Sequence, residues 1–290
     1  MNAHQASYAE RLSETTTVFE MVDLLDRYTT THVGTAPAAI KRLTIRRLES
    51  RYQAKDEELW KLTLALAHSG HPTAEEVAAM LLSKLYAQHA ETVAEELKRL
   101  AESANWEVRE WAASALGEVT LHYYNQIHPR LQEWIHDPSE NARRAVVLGA
   151  MYASHTKDSG MAHSLLDLLT PLLWDTTPYV RNNLGPFALG DGFSRRWPDL
   201  LLRRLTEWSR EPDEPVRWNL AMVFSAQAGA SLAPRVPEVL RILSGDTRQV
   251  VQKAWKKASQ RIQKENPGWT WPEVSSSFGL IAQVIAGPTR

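Results

Sequence analysis

Helical periodicity runs through nearly the whole chain. In "SANWEVREWAASALGEV", Val108, Trp111, Ala112, Ala115, Leu116 and Val119 recur every three or four residues. They form one apolar stripe, on a helix for which Ser103 can serve as N-cap. Trp106 and Glu110 stand off that stripe, four residues apart, so their side chains meet on a neighbouring face. The rest of that face is small (Ala113, Ser114, Gly117) and leaves room for a ligand or for another helix. The same period recurs in "TTTVFEMVDLLDRY", "APAAIKRLTIRRLESRY" and "EELWKLTLALAHS". Alternation of the strand type is almost missing, and short Pro, Gly, Asp and Asn clusters break the helices. The pattern predicts an all-α protein.

The helices also repeat. Val108 aligns with Ala142 of "SENARRAVVLGAMYA", Val180 of "TPYVRNNLGPFALGD", Val216 of "DEPVRWNLAMVFSAQ" and Val251 of "TRQVVQKAWKKASQR", at spacings of 34, 38, 36 and 35 residues. A weaker copy, "PTAEEVAAMLLSKLY", places Val77 31 residues before Val108. Other helices lie between the copies, among them "TVAEELKRLAES", "IHPRLQEWIHD" and "PDLLLRRLTEWSR". A period of this length with two helices per unit resembles HEAT repeats, and predicts an α-solenoid of about six hairpins. The second helix of each would line a concave groove. Residues 1–266 are expected to form this single solenoid, with N-terminal helices over 1–70 and regular repeats over 71–266. Residues 267–290 depart from the pattern and are expected to be a C-terminal cap or tail.

Composition narrows the class. The chain has 290 residues, 43% of them hydrophobic, so it can bury a sizeable core. It has no cysteine, which excludes disulfides and thiolate chemistry. No apolar run is long enough for a membrane span, and the polar N-terminus has no signal-peptide core. A cytoplasmic protein is expected, nucleoid-associated if bacterial. Net charge is only −1, but it is unevenly placed. Residues 1–140 carry 14 Lys and Arg against 21 Asp and Glu, whereas residues 141–290 carry 19 against 13. The basic half points to a polyanionic partner.

A solenoid brings equivalent positions of successive repeats side by side. Two residues after the aligned valine stand Glu110, Arg144, Asn182, Trp218 and Lys253. Trp106 lies one turn before Glu110. The preceding position is Arg109, Arg143, Arg181 and Arg217, and Lys256 and Lys257 follow in the last repeat. An acid, an indole, an amide and many cations on one face point to a binding groove. Arg143, Arg181, Arg217, Lys253, Lys256 and Lys257 are the expected phosphate contacts. HEAT repeats also carry an arginine here that bonds backbone or a neighbouring acid. For Arg109, Arg181 and Arg217 that structural role competes with ligand contact, and Glu110 with Arg144 also reads as an inter-repeat salt bridge. None of the ten histidines forms an HExxH pair, and no Gly-rich phosphate loop is present. Neither a metal nor an organic cofactor is expected.

These residues resemble the HEAT-like alkylpurine DNA glycosylases of the AlkD and AlkC type over roughly residues 30–265. The segment "GTAPAAIKRLTIRRL" looks like their N-terminal motif followed by a basic helix, and "NWEVREWAASAL" is the closest match. The resemblance implies that Glu110 is the catalytic carboxylate, with Trp106 and Arg144 around the substrate; the repeat positions add Asn182 and Trp218 as expected substrate contacts. It implies hydrolysis of the N-glycosidic bond of alkylated purines in double-stranded DNA, by a monomer, in a shallow groove without a deep base pocket. Two positions depart from the family. Pro186 stands where the AlkD type has a second tryptophan, and Leu148 stands where the AlkC type has a second glutamate. The alternative is a non-catalytic scaffold that binds DNA structures or an acidic protein.

Overall fold

The computed structural model describes residues 3–30 and 33–270, and every regular element in it is helical. The all-α solenoid expected from the repeat is the observed fold class. Of the segment expected as a cap or tail, residues 271–290 lie outside the described residues. Contacts divide the chain into two compact units. One comprises Met1–Leu172 with Thr177–Asn183, the other Leu173–Thr176 with Leu184–Arg290.

The first unit holds α1 (Ala3–Glu14), α2 (Val18–Asp26), α3 (Ala38–Arg51), α4 (Asp56–Ala67), α5 (Pro72–Lys84), α6 (Tyr86–Ala101), α7 (Trp106–Trp134), α8 (Glu140–Ala153), α9 (Ser159–Leu169) and α10 (Pro178–Asn183). The second holds α11 (Ser194–Arg196), α12 (Pro198–Trp208), α13 (Glu214–Val223), α14 (Gln227–Leu232), α15 (Pro237–Ser244) and α16 (Gln249–Glu265). The aligned positions Val77, Val108, Ala142, Val180, Val216 and Val251 fall on α5, α7, α8, α10, α13 and α16. All six are fully buried. The repeat seen in the sequence is therefore a repeat of core contacts, each valine contributing about 1.5–3 kcal/mol of burial.

Two local details differ from expectation. Asn105, not Ser103, caps α7: its side chain accepts from Glu107 N at 2.9 Å, while Ser103 Oγ accepts from Asn105 N. The short helix expected at "IHPRLQEWIHD" is the far half of α7, reached through a break at Tyr123 (φ −131°, ψ 34°).

The small-residue face of α7 has two uses. Ala113 and Gly117 are buried, because α8 crosses there at close range. A Cβ on Gly117 would lie 2.4 Å from Tyr152 Cβ. In the second unit α13 packs against α16 and against a π-helical stretch, Leu184–Phe193. There a Cβ on Gly185 would lie 2.8 Å from the Asn219 carbonyl oxygen. Pro186, which has no amide proton to donate, sits in this widened turn.

Candidate functional site

The first turn of α7 projects the two side chains singled out by the sequence. Trp106 is 45% exposed, and the Glu110 side chain, one turn on, is 31% exposed. Behind Glu110 stands Arg144 of α8, 5% exposed, whose Nη2 contacts Glu110 Oε1. Tyr179 of α10 supplies the other support: the Arg144 guanidinium lies 4.5 Å from its ring centre. The Tyr179 hydroxyl accepts from Arg109 Nε at 3.0 Å. A guanidinium excluded from water needs a compensating anion and is further stabilised by a π face; Glu110 and Tyr179 provide them. The carboxylate is thereby pinned through one oxygen. Nothing in the sequence marked Tyr179, which lies 35 residues beyond Arg144.

Glu110 also stands at the edge of a solvent-open cleft of about 540 Å³. Its walls come from four helices of the first unit. Ile45 of α3, Met80 of α5, Trp111 of α7 and Tyr152 of α8 form the apolar part. Arg42, Arg46 and Lys84 supply cations, while Glu49 and Glu110 supply acids. Trp111, expected in the core stripe, is only half-buried: it packs on the core and also reaches the cleft. Ser114, the third small residue of the α7 face, lines the cleft. Burial raises the pKa of the Tyr152 phenol, and the nearby Glu110 adds to the rise. Arg42 and Arg46 belong to the basic helix evident in the sequence of α3, but that they and Lys84 line one cleft with Glu110 follows only from the fold.

Next to the cleft is a buried ionic cluster that joins α3, α5 and α7. Lys41 is 2% exposed and Glu76 fully buried. Lys41 Nζ lies 2.6 Å from Glu76 Oε2 and 2.8 Å from Glu107 Oε2, and 5.3 Å from the Trp111 ring centre. Thr35 donates its hydroxyl to Glu107. Neither Glu76 oxygen has a well-directed hydrogen bond among the described residues, so its contact with Lys41 is one of proximity. One buried ammonium compensates one carboxylate, and a second anion there would cost several kcal/mol. Burial accordingly pushes the Glu76 carboxyl up to about 8. For Glu107, burial works upward, but hydrogen bonds from Lys41 and Thr35 outweigh it and hold the carboxyl below its ordinary range.

The arginines that follow the aligned valines share a geometry. Arg109 Nη1 donates to the carbonyls of Ser103 and Ala104 at 2.7 and 3.1 Å. Arg143 Nη1 donates to those of Asp137 and Pro138 at 2.7 and 2.9 Å, and its Nη2 to Thr177 Oγ1 at 3.3 Å. Arg217 Nε donates to the Glu211 carbonyl at 2.6 Å. Each closes the loop before its own helix, five or six residues back. Arg181 is half-buried and Asn182 exposed on α10. In the second unit Lys253, Lys256 and Lys257 are exposed on α16. Trp218 was expected to present an indole to a ligand, but it is only 8% exposed and belongs to the packing of α13. Leu148 is fully buried in α8. Among the described residues, no group of three His, Asp or Glu side chains converges as metal ligands, and no helix is long and apolar enough to cross a membrane.

A family model described as "DNA alkylation repair enzyme" matches residues 26–187, more than half of the chain. That span contains Trp106, Glu110, Arg144, Tyr179 and every residue of the cleft. No curated protein matches. Among solved structures, the chain is similar to AlkD2 from Streptococcus mutans, with 20% identity and a TM-score of 0.58, over 71% of this chain and 97% of that one. It is also matched by smu.31 from Streptococcus mutans UA159, with 17% identity and a TM-score of 0.41, over 84% and 98%. The likeness to AlkD2 is one of fold.

Proposed function

The chain belongs to the family of DNA alkylation repair enzymes, and from that membership we propose that it excises N-alkylated, cationic purines from double-stranded DNA by hydrolysing the N-glycosidic bond. The observation that carries this reading is one carboxylate, Glu110, held by a buried arginine at the lip of a solvent-open cleft within the matched span.

The chemistry follows from the charges. Alkylation at a ring nitrogen makes the base a cationic leaving group. Its departure leaves positive charge on the sugar, and glycoside cleavage generally sets a carboxylate against such a cation. Arg144 engages Oε1 of Glu110, which leaves Oε2 to face the sugar or to orient and deprotonate the attacking water. Trp106 offers an exposed aromatic face, which attracts a cationic base by about 0.5–2 kcal/mol. Arg144 is a positioning residue, fixed from behind by Tyr179. Leu148 is a buried hydrocarbon side chain and offers no second carboxylate beside Arg144, so the reading rests on Glu110. Lys253, Lys256 and Lys257 hold phosphates by charge, with release of counterions. The test is incubation with methylated duplex DNA and chromatography of released bases. Release of alkylated purines supports the reading. DNA binding without release would leave a structure-specific binder, and absence of DNA binding at low salt would favour an acidic protein partner.

A further inference from the structure

We infer that Lys41 is a positioning residue for Trp106 and Glu110: from α3 it sets the rotation of α7 through Glu107. The inference rests on the glycosylase reading above and names what holds its carboxylate and its indole in place. The first turns of α7 carry two i, i+4 pairs. Glu107 and Trp111 form one, Trp106 and Glu110 the other. The pairs are offset by one residue, about 100° around the helix. The inner pair meets Lys41, whose Nζ lies 2.8 Å from Glu107 Oε2 and 5.3 Å from the Trp111 ring centre. The outer pair therefore points where the seat of the inner pair directs it. A helix with its side chains has a radius of about 5–6 Å, so a rotation of about 10° moves a side-chain tip by about 1 Å. A displacement of that size can cost about 100-fold in rate.

Other contacts hold the same turn. Thr35 donates its hydroxyl to Glu107, and Lys41 Nζ donates to Thr35 Oγ1 at 3.3 Å. Asn105, the N-cap of α7, donates from Nδ2 to the Val33 carbonyl at 3.0 Å. Val33 has φ 63°, in the left-handed region that a β-branched residue adopts only at a cost, and Gly34 follows at φ 70°. The loop before α3 is thus bent onto the start of α7. Arg144 engages Glu110 from α8. The first turns of α7 are therefore held by two buried cations, Lys41 from α3 and Arg144 from α8. A buried ion pair adds little net stability over an apolar pair of similar volume, because desolvation offsets attraction. What Lys41 adds is direction. Its ammonium has one place between Glu76 and Glu107, whereas an apolar contact tolerates a turn of the helix.

Glu107→Leu tests this, because it removes the seat and leaves Glu76, 2.6 Å from Lys41 Nζ, as the counter-ion. Single-turnover excision from methylated duplex DNA gives the rate, anisotropy the duplex affinity, and circular dichroism the fold. In protein labelled with 5-fluorotryptophan, the Trp106 resonance, identified by its loss in Trp106→Phe, reports the ring's surroundings independently of activity. In Glu107→Leu the rate should fall at least about tenfold, with affinity within about threefold and the Trp106 resonance displaced. Glu107→Gln, which still accepts from Lys41 and Thr35, should restore the rate to within about threefold and return the resonance. Adding Lys41→Met to Glu107→Gln removes the ammonium from a neutral partner and should bring the loss back. Thr35→Val, remote from Trp106 in sequence, removes one of the same hydrogen bonds. It should move rate and resonance in the same direction, and it serves if Glu107→Leu does not fold. A folded Glu107→Leu with the wild-type rate or an unmoved resonance overturns the inference. So does Glu107→Gln behaving like Glu107→Leu, or a double variant behaving like wild type. If wild-type protein releases no base, the glycosylase reading fails alone and the resonance decides the positioning: displaced in Glu107→Leu, it stands; unmoved, it falls.

Discussion

Replacing Glu76 with glutamine should flatten the pH dependence of stability between about pH 5 and pH 8. In the folded protein burial pushes this carboxyl up to about 8, against an ordinary value of 4.5. The native state therefore keeps a proton that the unfolded chain has released. A raised pKa contributes stability that is complete below about pH 4.5 and is lost as pH rises towards about 8. One proton sets a maximum slope of about 1.4 kcal/mol per pH unit, so wild-type protein should lose about 2–3 kcal/mol between about pH 5.5 and pH 7.5 from this group. Glu107 has the opposite sign. Its lowered pKa contributes stability that is lost only in acid, below this window. Glu75, also raised by burial, is common to both proteins and cancels in the difference. Glutamine is neutral at every pH and nearly the same shape, so the variant should match protonated wild type at pH 5 and exceed wild type at pH 8. Urea denaturation at a series of pH values measures both. Parallel curves for the two proteins, or a difference that grows towards acid, would refute a buried neutral Glu76.

Other substitutions separate packing from site. Trp106→Ala should change stability by less than about 1 kcal/mol, because its ring is 45% exposed, whereas Trp134→Ala, at 5% exposure, should cost about 3–5 kcal/mol; thermal melts compare them. Gly117→Ala should destabilise by at least about 1–3 kcal/mol, since the new methyl group would meet Tyr152 Cβ at 2.4 Å. Arg143→Ala should lower stability by about 1.5–3 kcal/mol through its lost carbonyl contacts. Lys253→Glu, on an exposed position, should weaken DNA binding in a gel shift without moving the melting temperature.

The solenoid was legible because its signal is periodic: buried small apolar positions, five valines and Ala142, at 31–38-residue spacing leave a trace in the chain itself. The pairing of Trp106 with Glu110 was legible for the same reason, since helical spacing fixes which side chains are neighbours. Long-range charge pairing was not. Lys41 reads as one more cation of a basic helix, and only folding brings Glu76 and Glu107 to it. The basic character of α3 was legible, but not that Lys41 is neutralised internally while its neighbour Arg42 makes no ion pair among the described residues. The carbonyl contacts of Arg109, Arg143 and Arg217 did have a signal: each arginine lies five or six residues after a loop that ends at its own helix. The backbone-bonding role weighed for Arg109 and Arg217 is the one the geometry shows, and Arg143, expected as a phosphate contact, shares it.

The role of Glu110 is tested most directly by single-turnover excision from methylated duplex DNA, comparing wild-type protein with Glu110→Gln at saturating enzyme. Stability cannot separate the roles, because Glu110 also compensates the buried Arg144, so the amide should cost about 1–2 kcal/mol in either case. The rate can. With the acid removed and its hydrogen-bonding shape retained, excision should fall by about 100-fold or more while affinity for the duplex stays within about threefold. Excision by Glu110→Gln at the wild-type rate would contradict the assignment and leave Glu110 as a salt-bridge partner alone.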